Sequence, residues 1–296
     1  MIFPSSFTII SDEVSQELPA LAAFVREFGL PGIELRSMFG RAFKDLTSAD
    51  IAEIRRVAQG EGWRIYGCAS PVFKCGIDDP AALAQHRDEF QRSVAVAREL
   101  GCDLVRVFTF LRGSAADNPG MLRRAAEHLA GLRALAAGSG VRIGVENEHS
   151  CTVALGSELR EFMTLLPSPE IGIVWDPCNA LYVPGSPAEV TADYAAFAAR
   201  VFHVHIKDAR RRVPAPGELP AVAEPVGQGE VGWKRHLQEI LNTGYRGMFS
   251  LETHWRHEQL AEADLHLPAG YAFSRGGAEA SRVCFDALRG LLPEGR

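Results

Sequence analysis

The chain has 296 residues, 47% of them hydrophobic and 23% charged, which is ample for a sizeable core, and a formal charge of −6. An acidic balance gives no basic face for a nucleic-acid backbone, and no run approaches the ~20 apolar residues that span a bilayer. The start, MIFPSSFTIISDEVSQ, lacks a basic region and turns acidic at once, unlike a signal peptide, while six scattered cysteines without a CxxC pair read as reduced, packed thiols in a cytoplasmic protein.

FTIIS (7–11) is a β-rich run, followed by Asp12-Glu13 and a helical pattern to about Phe28, which Gly29 stops. GIELR (32–36) is the second strand, and Thr47 or Ser48 caps a helix to about Gly62. WRIYGCAS (63–70) is the third, and Pro80 opens a long helix to Leu100 with Gly101 behind it. DLVRVFTF (103–110) precedes a helix from about Asn118 to Ala137. VRIGVEN (141–147) precedes one from about Ser157 to Leu166. EIGIVWDP (170–177) is the sixth strand, after which Pro187 starts a helix. VFHVHIKD (201–208) leads into a Pro/Gly-rich loop, about 209–230, and a helix ending near Gly244. GMFSLETHW (247–255), a second long polar loop and a helix over roughly 277–291 complete the chain.

Eight strands alternating with helices imply a parallel sheet, and eight such units predict a closed (β/α)8 TIM barrel, one domain over 1–296 with its site at the C-terminal strand ends. A doubly wound open sheet is the runner-up. No GxGxxG follows the first strand and no GxxxxGK[ST] occurs, so dinucleotide and P-loop readings lack their motifs.

Side chains alternate along a strand. In the fifth strand Ile143 and Val145 face the helices, leaving Gly144 and Glu146 inside. In the sixth Ile171, Ile173 and Trp175 face out, with Asp176 inside. The seventh aims His203 and His205 inward, and the eighth Ser250 and Glu252. Glu146, Asp176, His205 and Glu252 thus converge on one barrel mouth. A lone carboxylate there is ordinarily solvated and a lone histidine ordinarily core; four at one layer are a constellation. Three carboxylates in a partly dry space repel unless a cation joins them. Oxygen ligands with one imidazole suit one divalent ion, Mn²⁺ first, with Mg²⁺, Co²⁺ and Zn²⁺ as alternatives.

The motifs ISDEVSQEL (10–18), GIELRS (32–37), GVENEH (144–149), IVWDPCNAL (173–181), HVHIKDAR (203–210) and SLETHW (250–255) resemble the sugar phosphate isomerase/epimerase group of the xylose isomerase-like TIM-barrel superfamily, over nearly the whole chain. That resemblance places metal ligands on Glu146, Asp176, His205 and Glu252 and gives Glu146 and Glu252 the acid–base roles. Many relatives carry a histidine three residues after the strand-six aspartate, where this chain has Asn179, a substrate position in the epimerases. With the acidic charge, this makes the endonuclease relatives a poor guide and leaves the particular sugar open. Barrels of the group often associate, so a homo-oligomer is a further expectation.

Lys207, Arg211 and His254 lie in or just beyond the ligand-bearing strands, able to bond hydroxyls or an anionic group; His149 and Glu13, at strand ends, are further substrate candidates. The run Arg210–Arg212 reads as a solvated loop, Glu34 and Arg36 as a barrel-internal ion pair, His203 as a core histidine and Cys178 as a buried filler. Trp255 and Phe73 are candidate pocket walls. The expected activity is isomerisation or epimerisation of a sugar or keto-polyol through an enediolate. A lyase or dehydratase on a keto-sugar or keto-inositol begins with the same proton abstraction, and a non-catalytic sugar-binding subunit is the reading from another class.

Overall fold

The computed structural model describes residues 5–113, 118–258 and 272–292. Strands β1 (Phe7–Ile10), β2 (Gly32–Leu35), β3 (Arg64–Ala69), β4 (Leu104–Val107), β5 (Arg142–Glu146), β6 (Ile171–Trp175), β7 (Val201–Ile206) and β8 (Met248–Leu251) pair in parallel, each with its neighbour in sequence. β8 closes on β1 through Phe7 opposite Phe249 and Ile9 opposite Leu251. The expected eight-stranded barrel forms, and no open sheet.

Around it lie α1 (Leu18–Phe28), α2 (Ser48–Glu61), α3 (Pro80–Glu99), α4 (Asn118–Ala136), α5 (Gly156–Thr164), α6 (Tyr194–Phe197), α7 (Trp233–Asn242) and α8 (Gly277–Leu291). Local chemistry fixes their ends. Thr47 Oγ1 accepts from the Asp50 amide at 3.2 Å while Asp50 Oδ2 accepts from the Thr47 amide at 2.8 Å, a reciprocal cap on α2. Asp79 Oδ1 accepts from the amides of Ala81 and Ala82 ahead of α3. No helix among the described residues is long and apolar enough to cross a membrane.

The outward strand residues, among them Phe7, Ile33, Val105, Val107, Ile143, Ile173, Trp175, Val204 and Leu251, are buried against the helices. Each contributes about 1.5–3 kcal/mol by leaving water. The inward side is polar. Thr8 and Ser250 share a 2.7 Å hydrogen bond, and His203 Nε2 lies 2.6 Å from Ser250 Oγ. β2 shifts register between Ile33 and Glu34, bringing Glu34 opposite Gly67. A Cβ there would stand 3.2 Å from Glu34 Cγ, so the glycine makes room for this carboxylate in the bore.

Two expectations need correction. Pro187 does not start a helix. The segment holds the 3-10 turn Pro177–Tyr182 and then only the single turn α6, continued by Ala198–Arg200. The β-branched pair Val190-Thr191 is buried rather than set on a helix face, and the Pro187 carbonyl accepts from Arg211. The loop at 209–230 is also not featureless: Asp208–Arg211 pairs antiparallel with Ala221–Glu224. Asp208 roots this hairpin by accepting from the amides of Ala209, Gly227, Gly229 and Val231. A shorter hairpin, Ser37–Met38 with Arg41–Ala42, follows β2. The second long loop lies largely outside the described residues.

Candidate metal and substrate site

The strand ends β5 to β8 carry the expected set. Glu146 closes β5, and Asn147 beyond it clamps the next strand end: its Oδ1 accepts from the Asp176 amide at 2.9 Å and its Nδ2 donates to the Asp176 carbonyl at 2.6 Å. Asp176 in turn caps the 3-10 turn behind β6, its Oδ1 accepting from the Asn179 amide at 3.2 Å. His205 Nε2 lies 3.0 Å from Glu34 Oε2, while Nδ1 lies 3.3 Å from Glu146 Oε1 and 3.6 Å from Glu252 Oε2. A carboxylate on one imidazole nitrogen orients the other for ligation. Glu146, Asp176, His205 and Glu252 are all buried and offer ligand atoms within 4.8 Å of one another. Two of their buried oxygens, Glu146 Oε2 and Asp176 Oδ2, take part in no hydrogen bond. Each is met by an ion contact alone, Glu146 Oε2 with Arg106 Nε at 3.2 Å and Asp176 Oδ2 with Lys207 Nζ at 2.9 Å, and buried carboxylate oxygens gathered round an imidazole nitrogen are the donor set a hard divalent cation requires, so the residues fit one.

Three cations of the chain reach this floor, Arg106 at Glu146 and, more closely bonded, Lys207 and Arg36. Lys207 Nζ lies 2.9 Å from both Asp176 Oδ2 and Glu252 Oε2 and donates to Asn179 Oδ1 at 3.0 Å. Arg36 donates to Glu252 Oε1 at 2.7 Å, Glu13 Oε1 at 2.8 Å and Asp12 Oδ1 at 2.9 Å. Glu34 and Arg36 are therefore each in barrel-internal ion pairs, but with His203, His205 and three acids rather than with each other.

Burial would strip charge from Lys207 and His205, yet the carboxylates facing them, Asp176 and Glu252 for the lysine, Glu34 and Glu146 for the histidine, raise both well above their ordinary ranges. Against its own burial, Glu252 is held well below the carboxylate range by Lys207 and His254. Asp176 goes the other way: burial, which Lys207 only partly offsets, and the charges of Glu252 and Glu146 push it up to about 7.

A cavity of roughly 1150 Å³ opens over this floor, lined by Glu146, Glu252, Asn179, Lys207, His149 and His254 among others. Two substrate candidates lie elsewhere. Glu13 is fully buried behind the wall, held by Arg36 and Arg256. Arg211 is spent on Glu230, Ser186 and the Pro187 carbonyl, and Arg212 reaches the cavity instead. Trp255 lines the cavity, whereas Phe73 is fully buried against Phe110. His203 and Cys178 are buried as expected. Arg106, Lys74, Phe108, Glu148 and Phe273 also line the cavity, and none was a candidate from sequence. The alternation in DLVRVFTF would have found Arg106, since Val105 and Val107 face out.

Residues 22–274 match the family model described as xylose isomerase-like TIM barrel, and the chain belongs to that family. No curated protein matches it by sequence. In backbone it is similar to the IOLI protein with a bound zinc atom, at 18% identity over 97% of each chain and a TM-score of 0.74. It is also similar to 3-keto-D-glucoside 4-epimerase, YcjR, from E. coli, at 14% identity over 94% of this chain and 99% of that one, with a TM-score of 0.65. The probable 3-DHS dehydratase AsbF from Bacillus anthracis gives 15% identity, 93% and 98% coverage and a TM-score of 0.68. At such identities the likeness is one of fold.

Proposed function

We propose that the chain is a divalent-metal-dependent isomerase or epimerase that moves a proton next to the carbonyl of a sugar or keto-polyol through an enediolate. The observation that carries this reading is the approach of Glu146 and Glu252 to His205 Nδ1, at 3.3 and 3.6 Å, both carboxylates being buried and both lining the cavity. Glu146, Asp176, His205 and Glu252 would hold the ion, Mn²⁺ by preference, which when bound polarises a ketone and its neighbouring hydroxyl and so acidifies the adjacent C–H. Asp176 and His205 chiefly position it. Glu146 and Glu252 remove and return the proton, one from each side of the substrate carbon. Lys207 and His254 keep Glu252 ionised, Arg36 aims it, and Asn179 Nδ2, 3.3 Å from Glu146 Oε1, steadies the other carboxylate.

Elimination is the second reading, and Lys207 favours it: an ammonium that Asp176 and Glu252 keep charged, 2.9 Å from each, can donate a hydrogen bond to a departing hydroxyl. Incubating the Mn²⁺-loaded protein with keto-sugars and keto-polyols in D₂O separates the two. Solvent deuterium in an isomeric product supports proton return, and loss of water by mass supports elimination. Glu146→Gln and Glu252→Gln should each lower turnover by about 10²–10⁴-fold. Full activity in either variant with metal still bound would refute the acid–base assignment.

A further inference from the structure

Among the described residues, Arg106 is the arginine of the cavity wall whose donors are left without hydrogen-bond partners. It lies on β4, opposite Gly144, and is 94% buried, with a relative exposure of 6%. Its Nε lies 3.2 Å from Glu146 Oε2, an ion contact without a hydrogen bond, and this buried nitrogen has no hydrogen-bond partner. Its terminal nitrogens hydrogen-bond nothing among the described residues, and the side chain lines the cavity. Arg36 and Arg256, beside the same cavity, behave differently. Arg36 gives its donors to Asp12, Glu13 and Glu252, and Arg256 gives its own to Glu13 and the carbonyls of Trp255, Phe273 and Arg275.

A guanidinium whose Nε is buried without a hydrogen bond and whose terminal nitrogens open on the cavity has donors free for a ligand. Its setting says which ligand. The Arg106 Cζ lies 4.2 Å from the Phe108 ring centroid, and Lys74 Nζ lies 5.1 Å from the same centroid, so two cations flank one aromatic ring. Lys74 is already matched by Glu148 at 3.2 Å. Arg36 and Arg256 give their donors to Asp12, Glu13 and Glu252, whereas the terminal nitrogens of Arg106 open on the cavity. An open fork takes an anion, and one negative charge is enough to pair it. A phosphate dianion would bring a second beside Glu146 and Glu148, whereas a planar carboxylate matches the guanidinium fork.

We infer that the substrate carries a carboxylate seated on Arg106, with Lys74 beside it. The inference rests on the proposed keto-substrate reading and narrows it to a compact keto acid. Because Arg106 touches Glu146, the carboxylate lies within a few bonds of the reacting carbon.

The matched probes are 5-keto-D-gluconate and L-sorbose, which differ only in a carboxylate for a hydroxymethyl group. Calorimetric titration of the wild-type protein, Mn²⁺-loaded and metal-free, should show the acid bound at least about tenfold more tightly. Arg106→Met should bring that ratio close to one, Arg106→Lys should retain part of it, and Lys74→Gln, on a half-buried side chain, should lower it less. Thermal melts establish that each variant folds, and the wild-type ratio requires no variant. Equal affinities, tighter binding of L-sorbose, a preference that survives in folded Arg106→Met, or binding of neither compound would overturn the inference. Failure of Mn²⁺ to bind, with the acid preference intact in metal-free protein, would instead sink the metal-dependent reading and leave the Arg106 assignment standing.

Discussion

Arg36 divides its donors among Asp12, Glu13 and Glu252, three buried acids at the edge of the floor whose other partners include Ser37, Arg256 and Lys207. Burial by itself would raise Glu13, yet the charges of Arg256, His254 and Arg36 hold it down at about 2. Arg36→Met should therefore cost about 3–5 kcal/mol, read as a lower urea midpoint with an unchanged slope. Arg36→Lys should recover only part, because an ammonium cannot span three carboxylates as a planar fork does. An unchanged midpoint in the methionine variant would show that the acids find other partners. Glu146, Asp176, His205 and Glu252 were legible because strand alternation is a period written into the sequence. The Asp12–Arg36 pair was not, because a contact between residues on neighbouring strand ends leaves no period. Glu13 and Arg211 were misplaced for a related reason: alternation tells which way a side chain leaves the strand, not whether another residue reaches it first.

At the level of elements, one hydrogen bond ties the barrel to its outer layer. Trp175 Nε1, on β6, donates to His236 Nε2 on α7 at 2.8 Å, and His236 Nδ1 lies 3.0 Å from Glu239 Oε2. This network needs a neutral imidazole with its proton on Nδ1. Burial lowers His236 below its ordinary 6.5, and Glu239 offsets that only in part. Between the lowered folded value and 6.5 the unfolded chain binds more protons, so the contribution is complete above about 6.5 and declines as pH falls through that window. Denaturant midpoints taken across mildly acidic pH should show this loss in the wild type and a shallower one in His236→Gln. Equal slopes would remove His236 as the cause. The eight strands and most helices could be read from apolar periodicity and caps such as Thr47 and Asp79. The single-turn α6 could not, because Pro187 is a start signal that the buried Val190-Thr191 pair overrides through tertiary packing.

For the molecule as a whole, a floor of three carboxylates that only folding brings together makes ion binding a folding energy. An ion that binds the native state alone stabilises it by about 2.7 kcal/mol at one hundred times its dissociation constant. Added Mn²⁺ should accordingly raise the melting temperature by several degrees, and chelation should reverse the rise. Asp176→Asn, which removes one of the proposed ligand oxygens, should abolish the ion-induced increment whatever it does to the metal-free baseline. An undiminished increment in that variant would place the ion elsewhere. The barrel and the converging strand ends follow from alternation repeated eight times. Apart from strand residues such as Arg106, the walls of the cavity do not, since they come from hairpins and loops whose side chains answer to no common period.

The hairpin after β7 meets the rest of the chain at its root, where Asp208 gathers four amides and Arg211 grips Ser186 and Pro187. Its outer part, including Arg212, Glu218 and Leu219, forms cavity wall without bonding to Glu146, Asp176, His205 or Glu252. Residues 212–220 can therefore be exchanged, by descent or by design, while the root and floor stay as they are. Under the proposed function part of the selectivity would sit on a piece of chain replaceable apart from the floor, and libraries confined to those nine positions should change which substrates are accepted before they change how fast a proton moves.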